Sequence, residues 1–557
     1  MQAMTLSIGQ AGINFFAQTL VANQLLQALK GLKLANSSPS IPDFYSYGFG
    51  YNCSFSKIKI NLTNGTVSGF SPTYQGVQQQ NTGNPAGSQF ALSLAASNFT
   101  ANYSWVESYH EYCCYSGGQF PYCHGDDNNG NYAYAPGIGN LAVTVLTAFQ
   151  YAQSTNTWTI STVNTMAVTS NVSANIPSRS VVQNEDTSCF SSHVSDATAA
   201  SISSIDFATP INAIIPPLLK SIPASGDLGN GIVFEWELGD AGLTFPNAKG
   251  ISIGITGRVS YRGTYYQGTP PSALPVPPVP APADAHYLQT YVSDYEVNAL
   301  QWAYYQAGLL NATATPGTIP DPNALKVKTY VAFIKQLEPY KAYSMRADIK
   351  PQAAPVSAFQ MVWQFTQANI DNLKSQLPIA VWTTLNNNMI GNAYISKQTL
   401  ETDLQSNDIG QAYYATIENG TSAMGMVDTQ NIQMVLTILT PSDPQPTITF
   451  NVSRTDILTN LALGIAGNAQ TMQFGFLELE SAATFVSSTI PNFPGGQMAM
   501  IWATVGDPNY TQVIADMGKT GVPLPIMSGF QFLFSQAALS IQSGFVSIKA
   551  QVQYKSG

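Results

Sequence analysis

Charged side chains are scarce in this sequence. Lys, Arg, Asp and Glu make up 9% of the 557 residues, whereas about 25% is usual for globular domains. The chain has 21 basic and 31 acidic residues, which gives a formal net charge of −10. Nucleic acids and anionic lipid surfaces are both bound through clustered Lys and Arg. The sequence therefore predicts no nucleic-acid partner and no electrostatic attachment to membranes.

Long apolar runs and a leader pattern are also missing. No run approaches the roughly 18 apolar residues that a membrane span requires. The first residues show no charged start followed by an apolar stretch, so no signal peptide is visible. We therefore predict no transmembrane segment.

The usual catalytic and nucleotide-binding motifs are absent. There is no phosphate loop and no dinucleotide fingerprint. The segment GISIG (250–254) matches G-x-S-x-G, but it lies within strand-like alternation, whereas a nucleophilic serine needs a strand, a sharp turn and a helix. None of the histidines lies in a general-base motif: His110, His124, His193 and His286. The sequence predicts a protein that is not an enzyme and has no cofactor.

Asn-X-Ser/Thr sequons are abundant and suggest how a charge-poor surface stays soluble. Glycans on these asparagines would solvate it, and we predict a secreted, extracellular glycoprotein. The candidate sites are Asn36, Asn52, Asn61, Asn64, Asn98, Asn102, Asn171, Asn311, Asn419, Asn451 and Asn509.

Five cysteines allow one or two disulfides and leave an odd thiol. The candidates are Cys53, Cys113, Cys114, Cys123 and Cys189. Zinc binding by three of them with His124 is the alternative, but their spacing matches no standard zinc site. The run DDNNGN (126–131) lacks the closing Glu of a calcium loop, which favours an Asx-rich turn. We predict no metal site.

Apolar periodicity divides the chain into helices and strands. Residues 11–33 carry a helical stripe that includes Phe15, Phe16 and Leu20. A second helix is predicted at 286–310, with Ser293 and Glu296 as a capping box. A further helical region is expected at 194–221 and a late helix at 510–518.

Strand-like alternation occurs at 57–62, 140–151, 251–263 and 546–554, and it predicts sheets with one covered and one wet face. Asn64-Gly65 suggests a hairpin turn. Residues 105–140 are rich in Cys, Gly, Asn and Tyr, and we expect an irregular, disulfide-stapled insertion. Residues 269–282, TPPSALPVPPVPAP, favour an extended polyproline brace over a flexible tether.

Several segments resemble the family of bactericidal permeability-increasing and lipopolysaccharide-binding proteins, which includes the cholesteryl ester and phospholipid transfer proteins. The opening LSIGQAGINFFAQTLVANQLLQALKGLKL is similar to the first helix of that family, and FGYNCSFSKIKINL is similar to its first strand. The more specific matches are the proline linker with its following helix, PPSALPVPPVPAPADAHYLQTYVSDYEVNALQWAYYQAG, and the closing segment GVPLPIMSGFQF.

The resemblance implies an α+β fold: an elongated boomerang of two similar barrels, each a curled antiparallel sheet around a long helix, joined by a central sheet and the proline-rich linker. It implies an N-terminal barrel domain at 1–268, a linker at 269–284 and a C-terminal barrel domain at 285–557. Each barrel would hold phospholipid or another acyl lipid in an apolar pocket. From the helix stripes we expect the pocket residues to be Phe15, Phe16, Leu20, Val297, Leu300 and Tyr304.

The sequence departs from the family in two respects. Its cationic members bind lipopolysaccharide through basic surface residues, which this chain lacks. The family also ties a strand cysteine to one near the second helix. Cys189 matches the helix side, but residues 155–175 contain no cysteine. Cys189 would then pair with Cys53 or with the insertion, or stay free.

Three functions are compatible with these observations. The first is a secreted lipid-binding or lipid-transfer protein. The second is a glycosylated extracellular coat protein that reuses the fold for self-assembly, and the third is recognition of lipopolysaccharide in host defence.

Overall fold

The structure, a computed structural model, describes residues 3–30, 32–48, 51–80, 87–116, 122–134, 138–152, 157–172, 180, 182, 188–207, 209, 225–244, 250–270, 274, 288–389, 394–395, 400–405, 408–467, 469–525, 530–542 and 544–554. The chain divides into two compact units. We name them the C-terminal unit (Met1–Ile8, Ser221–Leu243 and Ser252–Gly557) and the N-terminal unit (Gly9–Lys220 and Thr244–Ile251).

The described strands, in chain order, are β1 (Met4–Gly9), β2 (Lys33–Leu34), β3 (Phe44–Gly48), β4 (Tyr51–Ser68), β5 (Thr73–Gln80), β6 (Gly87–Tyr115), β7 (Tyr122–Tyr134), β8 (Ile138–Ala152), β9 (Thr157–Val172), β10 (Ser225–Gly229), β11 (Ile232–Thr244), β12 (Gly250–Tyr261), β13 (Thr264–Tyr265), β14 (Leu288–Ser293), β15 (Ala312–Ala314), β16 (Met345–Pro351), β17 (Val356–Gln364), β18 (Tyr394–Ile395), β19 (Ser422–Ile438), β20 (Thr447–Ala466), β21 (Ala469–Ser488), β22 (Val522–Pro523), β23 (Phe530–Phe532), β24 (Ala538–Gln542), β25 (Phe545–Ala550) and β26 (Val552–Tyr554).

The described helices are α1 (Gln10–Phe16), α2 (Asn23–Lys30), α3 (Ser188–Ser203), α4 (Asp294–Gln306), α5 (Gln367–Gln376), α6 (Ile379–Asn388), α7 (Asp408–Thr421), α8 (Met498–Ile501) and α9 (Asp507–Thr520). Segments of π-helix lie at Ala17–Ala22, Leu400–Leu404 and Trp502–Gly506. Short 3-10 helices lie at Pro322–Leu325, Val327–Thr329, Lys335–Tyr340, Gly495–Gln497 and Phe534–Gln536. The predicted late helix is confirmed as α9.

The first predicted helix is present, and a π-helical segment joins α1 to α2. Its buried stripe repeats every four residues, the spacing that places side chains on one helical face. The members of this stripe are Ile13, Ala17, Val21, Leu25 and Leu29.

The N-terminal unit contains a curled sheet of long strands in the order β2–β4–β6–β8–β9, with β3 on β4 and both β5 and β7 on β6. Strand β6 alone has 29 residues. The ladder between β4 and β6 shifts register at Ser56/Lys59 and at Thr63/Thr66. Such bulges bend a strand and increase its twist, which allows these long strands to curl.

Asn64 and Gly65 form one of these bulges instead of the predicted hairpin turn, so that prediction is wrong. Asn64 does adopt a positive φ of 52°, but β4 continues to Ser68. A Cβ atom on Gly65 would lie 2.6 Å from a side-chain atom of both Leu34 and Tyr103. Glycine is needed here because neighbouring strands press against the bulge.

Where the structure describes it, the segment expected to be an irregular insertion is regular. Residues 105–115 continue β6, which pairs with β7 from Tyr103↔Tyr134 to Tyr115↔Tyr122. The run DDNNGN lies within β7, so the predicted Asx-rich turn is also wrong. Cross-strand pairing satisfies the backbone of these polar residues, which overrides their local preference for turns.

Two disulfides join the three strands β4, β6 and β7. Cys53 is bonded to Cys113 and Cys114 to Cys123. Consecutive strand residues point to opposite faces of a sheet, so the two bonds lie on opposite faces. The prediction of disulfides is confirmed for these four cysteines. Cys189 lies in α3, and its side chain is outside the described residues, but the proposed bond to Cys53 is excluded.

A second sheet lies in the C-terminal unit and contains strands from both ends of the chain. Its order is β10–β11–β12–β1–β14–β25–β24, with β13 on β12. All six residues of β1 and of β14 are buried, so both faces of these strands are covered. The one-sided pattern predicted for 546–554 is therefore wrong: β25 is buried at five of its six positions.

The two compact units do not follow the linear boundaries 1–268 and 285–557. Strand β1 pairs with β14, and β14 pairs with β25, which groups the first residues with the C-terminal half. Most of the linker 269–284 lies outside the described residues. Within it, Leu274 is buried with Tyr291 and Phe545.

The third sheet of the described residues also belongs to the C-terminal unit. Its order is β15–β16–β19–β20–β21–β22, with β17 on β19 and β18 on β17; β23 and β26 form a separate pair. Helices α5, α6 and α7 pack in a cluster with buried Leu373, Leu385 and Ile417. This arrangement completes a mixed, sheet-rich fold.

The second predicted helix is confirmed from Asp294 onward as α4, whereas residues 288–293 of the predicted range form strand β14. The capping box of α4 is not formed. The hydroxyl of Ser293 donates to the carbonyl oxygen of Ala3 at 2.8 Å, and Ser293 makes no side-chain cap bond. Because the Ser293 hydroxyl bonds to Ala3, it does not bond to the backbone of its own helix, as a capping box requires.

Candidate functional site

Helix α1 is anchored to the edge of β5 through two side-chain amides. Gln10 Nε2 donates to the carbonyl oxygen of Val77 at 2.6 Å, and the amide of Val77 donates to Asn14 Oδ1 at 3.0 Å. Both backbone groups of Val77 that face away from β6 are thereby satisfied. Covering an edge in this way removes a strand from unwanted pairing.

A β-bulge lies directly beside this anchor. The register between β5 and β6 shifts between Tyr74 and Gly76, so Gln75 is the extra residue. Gly76 has a φ of +144°, a region that side chains rarely allow. The bulge turns Gln75 away from the regular pleat.

Helix α1, the bulge and β6 line an open cleft of about 470 Å³. Ligand sites commonly measure about 300–1,000 Å³, so the volume suits a small group. The lining consists of Gln10, Asn14, Gln75, Gly76, Val77, Gln78, Gln79 and Ser93.

The predicted pocket residues of the first helix are half-buried and do not line this cleft. Phe15 and Phe16 contact each other edge to face, with ring centroids 5.7 Å apart. Leu20 is half-buried as well, whereas Val21 and Leu25 of the buried stripe are almost fully inaccessible to solvent. Three large apolar side chains thus keep part of their surface accessible on α1 and the π-helical segment.

Helix α4 uses the same kind of anchor in the C-terminal unit. Asn298 Nδ2 donates to the carbonyl oxygen of Ser357 at 2.8 Å, and the amide of Ser357 donates to Asn298 Oδ1 at 2.6 Å. Helix α1 follows β1, and helix α4 follows β14, in the sheet that contains strands from both ends of the chain. In both cases carboxamide side chains of the helix bond to the free backbone groups at the edge of another strand. This parallel is consistent with a structural duplication.

Among the predicted pocket residues of α4, Val297 and Leu300 are enclosed and Tyr304 is half-buried. Val297 and Leu300 are 1% and 0% exposed. The Tyr304 hydroxyl donates to Thr520 Oγ1 at 2.7 Å. These three residues therefore belong to the packing between α4 and its neighbours.

A buried polar network occupies the interior next to α4, and the sequence reasoning missed it. Gln301 Nε2 donates to Asp428 Oδ1 at 2.9 Å, and Ser357 Oγ donates to the same oxygen at 3.1 Å. Burial, followed by the charge of Asp456, raises the pKa of Asp428 to about 7. Gln430 Nε2 connects Asp428 to Asp456.

Arg454 is the cation of this network and is 1% exposed. Its Nε lies 2.8 Å from Asp456 Oδ1, and its Nη1 lies 3.3 Å from Glu478 Oε2. Nη1 also pairs with Asp507. A signal was present in the sequence, since Arg454 and Asp456 occupy the inward positions of an alternation that includes Phe450, Val452 and Leu458.

Glu296 is a buried carboxyl of the same unit. It is 0% exposed, and neither of its oxygens has a hydrogen-bond partner of good geometry among the described residues. A Cβ atom on Gly257 would lie 1.9 Å from Glu296 Oε1. Burial raises the pKa of this carboxyl to about 8, and the Gly257 backbone opposes that shift only in part.

The described residues do not support a metal centre at the cysteines. Cys53, Glu111 and Cys113 lie close enough to share an ion, but the two sulfurs form a disulfide and no thiolate remains. The predicted sequons have varied surroundings. Those at Asn36, Asn52, Asn61, Asn64, Asn98 and Asn311 are exposed, those at Asn102, Asn451 and Asn509 are half-buried, and the side chains of Asn171 and Asn419 lie outside the described residues.

Helix lengths bear on membrane insertion. Within the described parts of the chain, no helix combines the length and the apolar character that crossing a membrane would require.

Comparison with known proteins gives a sequence relative that matches part of the chain. No protein-family model matches the chain. A stretch of 138 residues is 25% identical to lipopolysaccharide-binding protein of Mus musculus and covers 24% of this chain. The match spans 27% of that relative's length.

Solved structures of two proteins align with the whole chain. The crystal structure of lipopolysaccharide binding protein aligns over 100% of both chains, at 14% identity and a TM-score of 0.41. The crystal structure of P47 of Clostridium botulinum E1 aligns over 99% of this chain and 98% of that chain, at 6% identity and a TM-score of 0.23.

The protein is thus a sheet-rich α+β chain in which helices are anchored to strand edges. The sequence match makes the chain similar to a lipopolysaccharide-binding protein over 24% of its length.

Proposed function

We propose that this chain is an extracellular lipid-binding protein that holds acyl chains against the accessible apolar face of its first helix. The observation that carries the proposal is the half-buried set Phe15, Phe16 and Leu20, on a helix that Gln10 and Asn14 anchor to a curled sheet. Burying apolar surface stabilises a complex by about 25 cal/mol per Å², so acyl chains need no charged contact there.

Two further observations support the proposal. The sequence relative is named for binding lipopolysaccharide, a lipid. Paired disulfides are typical of oxidising, extracellular compartments, which supports secretion. We also propose what the resemblance to the family implies: the chain forms a boomerang of two lipid-holding barrels, and it transfers phospholipid.

The test is lipid capture by the purified full chain. After incubation with phosphatidylcholine vesicles, native mass spectrometry should show bound phospholipid. Leu20→Asp places a charge on the accessible face, and we expect it to lower the captured lipid at least about tenfold, equivalent to about 1.4 kcal/mol.

The control is Ile379→Asp, since Ile379 is an apolar helix residue that is 84% exposed in the C-terminal unit. This variant should capture as much lipid as the parent. Equal capture by the parent and Leu20→Asp, or no capture by the parent, would contradict the proposal. Replacing the vesicles by lipopolysaccharide tests the third function; the net charge of −10 argues against tight binding.

A second function, self-assembly as a coat, is favoured by exposed tyrosines on strands β3 and β7. Tyr45, Tyr47 and Tyr122 are 68%, 75% and 63% exposed. Tyr122 stacks with His124 at 5.3 Å between ring centroids. Tyrosine is enriched at protein interfaces because it offers a broad apolar ring with a polar end.

If these tyrosines join copies of the chain, the mass found by light scattering should rise with concentration. The double variant Tyr47→Ser/Tyr122→Ser should then remain monomeric, whereas Tyr554→Ser, at a tyrosine of the C-terminal unit, should still associate. A parent chain that is monomeric at every concentration would exclude this function.

A further inference from the structure

The cleft between α1 and the bulge of β5 has an unusual lining. Gln10, Asn14, Gln75, Gln78 and Gln79 contribute five carboxamides, and Ser93 contributes a hydroxyl. As far as its described lining extends, no charged side chain is present. The cleft therefore offers many hydrogen-bonding atoms and no ionic partner.

This lining selects among chemical classes of ligand. Phosphate and carboxylate groups are recognised best by Arg and Lys, which provide charge-assisted hydrogen bonds. A carboxamide instead presents two N–H donors and an acceptor oxygen in one plane. Hydroxyl groups both donate and accept, so adjacent hydroxyls match this arrangement. The lining favours an uncharged, polyhydroxylated group.

Part of the cleft is held in place before any ligand arrives. Gln10 and Asn14 are fixed by their bonds to Val77. Gln75 Nε2 donates to Thr73 Oγ1 at 2.8 Å, and the bulge fixes its backbone. Fixing donors and acceptors in advance lowers the entropy cost of binding.

The apolar face lies close to the same point of the helix. Phe15 and Phe16 directly follow Asn14, and an α-helix rises about 1.5 Å per residue. Because successive residues of an α-helix are about 100° apart around its axis, Phe15 is the apolar side chain of this face nearest to Asn14, and acyl chains from the cleft would reach it by passing around the helix.

We propose that the cleft binds a neutral, polyhydroxylated group such as a sugar, and that this group is the head of the lipid held on the apolar face. The sugar site itself does not depend on the proposed lipid-binding function; the statement that the sugar is the head of a bound lipid rests on it. Hydroxyls of the head pair with Gln75, Gln78 and Ser93, which selects uncharged glycolipids over phospholipids.

The experiment compares three lipids with the same acyl chains in a vesicle-capture assay with the full chain. They are monogalactosyl diacylglycerol, phosphatidylcholine and phosphatidylglycerol. We expect capture of the galactolipid to exceed that of either phospholipid by about tenfold, equivalent to about 1.4 kcal/mol. Soluble methyl galactoside, tested by saturation-transfer NMR, shows whether the sugar binds alone.

The variant is Gln78→Leu, at an exposed lining residue, and the matched control is Gln360→Leu, at an exposed strand position of the C-terminal unit. Gln78→Leu should abolish the preference for the galactolipid and leave capture of phosphatidylcholine unchanged, while Gln360→Leu should keep the preference. Gln75→Leu repeats the test at the bulge, and thermal unfolding verifies that each variant is folded.

The outcomes separate the two proposals. Capture of all three lipids without preference overturns the inference and leaves the lipid-binding function intact. Binding of methyl galactoside that is lost in Gln78→Leu, without capture of any lipid, supports the sugar site and overturns the lipid function. A preference that survives both glutamine variants places recognition elsewhere and overturns the inference.

Discussion

Replacing Glu296 by glutamine is expected to stabilise the protein strongly at neutral and alkaline pH. The parent carboxyl is fully buried, and burial raises its pKa from 4.5 to about 8. One pKa unit corresponds to about 1.36 kcal/mol, so ionising this group in the folded state costs up to about 5 kcal/mol. Glutamine keeps the shape and removes the charge.

The pH dependence follows from the direction of the shift. Below pH 4.5 the carboxyl is protonated in both the folded and the unfolded chain, and its ionisation does not lower the free energy of unfolding. Between pH 4.5 and 8 the unfolded chain releases its proton first, so the free energy of unfolding falls as the pH rises. Above pH 8 the full cost is reached and the contribution becomes constant.

Urea unfolding from pH 4 to pH 9 measures this effect. The parent should lose stability across the window, and Glu296→Gln should lose up to about 5 kcal/mol less. Asp428, whose pKa is also raised, contributes a loss to both proteins. Glu338→Gln changes an exposed residue paired with Lys341, and such surface pairs contribute about 0–1 kcal/mol. Parallel pH profiles for the parent and Glu296→Gln would show that the buried carboxyl is not the cause.

Replacing Arg454 by methionine is expected to destabilise the C-terminal unit by about 3–5 kcal/mol, the usual cost of removing one partner from a buried ion pair. Asp456 is 0% exposed and would lose its nearest cation. Asp507 and Glu478 would lose the same partner. Methionine fills much of the volume, so the loss is mainly electrostatic.

Denaturant unfolding at pH 7 measures the free energy of unfolding of the parent and of Arg454→Met. Arg346→Met is the matched control, since Arg346 is partly exposed and lies 2.9 Å from Asp348; we expect a loss below about 1 kcal/mol. Adding Asp456→Asn to Arg454→Met should restore part of the stability by removing an unpaired buried charge. A loss below about 1 kcal/mol for Arg454→Met alone would refute the argument.

The elements that the sequence predicted correctly are those with a local signal. Helix α4 and the helix from Gln10 to Lys30 have apolar side chains at helical spacing, and β4 alternates at Ile58, Ile60 and Leu62. The disulfides followed from composition and compartment. Each of these inferences needs only neighbours along the chain.

The failed predictions involve distant partners. Asn64-Gly65 became a bulge because β4 continues along β6. Ser293 bonds Ala3, which is far away in sequence, instead of capping its own helix. The local sequence has no information about these neighbours, and their contacts outweigh turn and capping preferences of about 1 kcal/mol.

The candidate site was predicted only in part. Phe15, Phe16 and Leu20 were expected to line an apolar pocket. The structure leaves them half-buried, and their contact with lipid stays a prediction. The amide-lined cleft was not expected, because Gln75 and Ser93 face α1 only after β5 and β6 have paired. Arg454 and Asp456 gave a readable signal, since charged residues stood where the strand alternation requires apolar ones.

The adjacent cysteines 113 and 114 also act as a check on strand register during oxidative folding. If β6 slipped by one residue in one direction, Cys53 would face Cys114, and Cys113 and Cys123 would be left without partners. A slip in the other direction would bring Cys113 opposite Cys123 and leave Cys53 and Cys114 alone.

Only the native register forms both bonds. A slipped ribbon therefore keeps two thiols, and thiolates attack disulfides and reopen wrong pairings. Chains with a slipped register can therefore be corrected. Chains in the native register keep no thiol among these four cysteines, and their two disulfides are not reopened in this way.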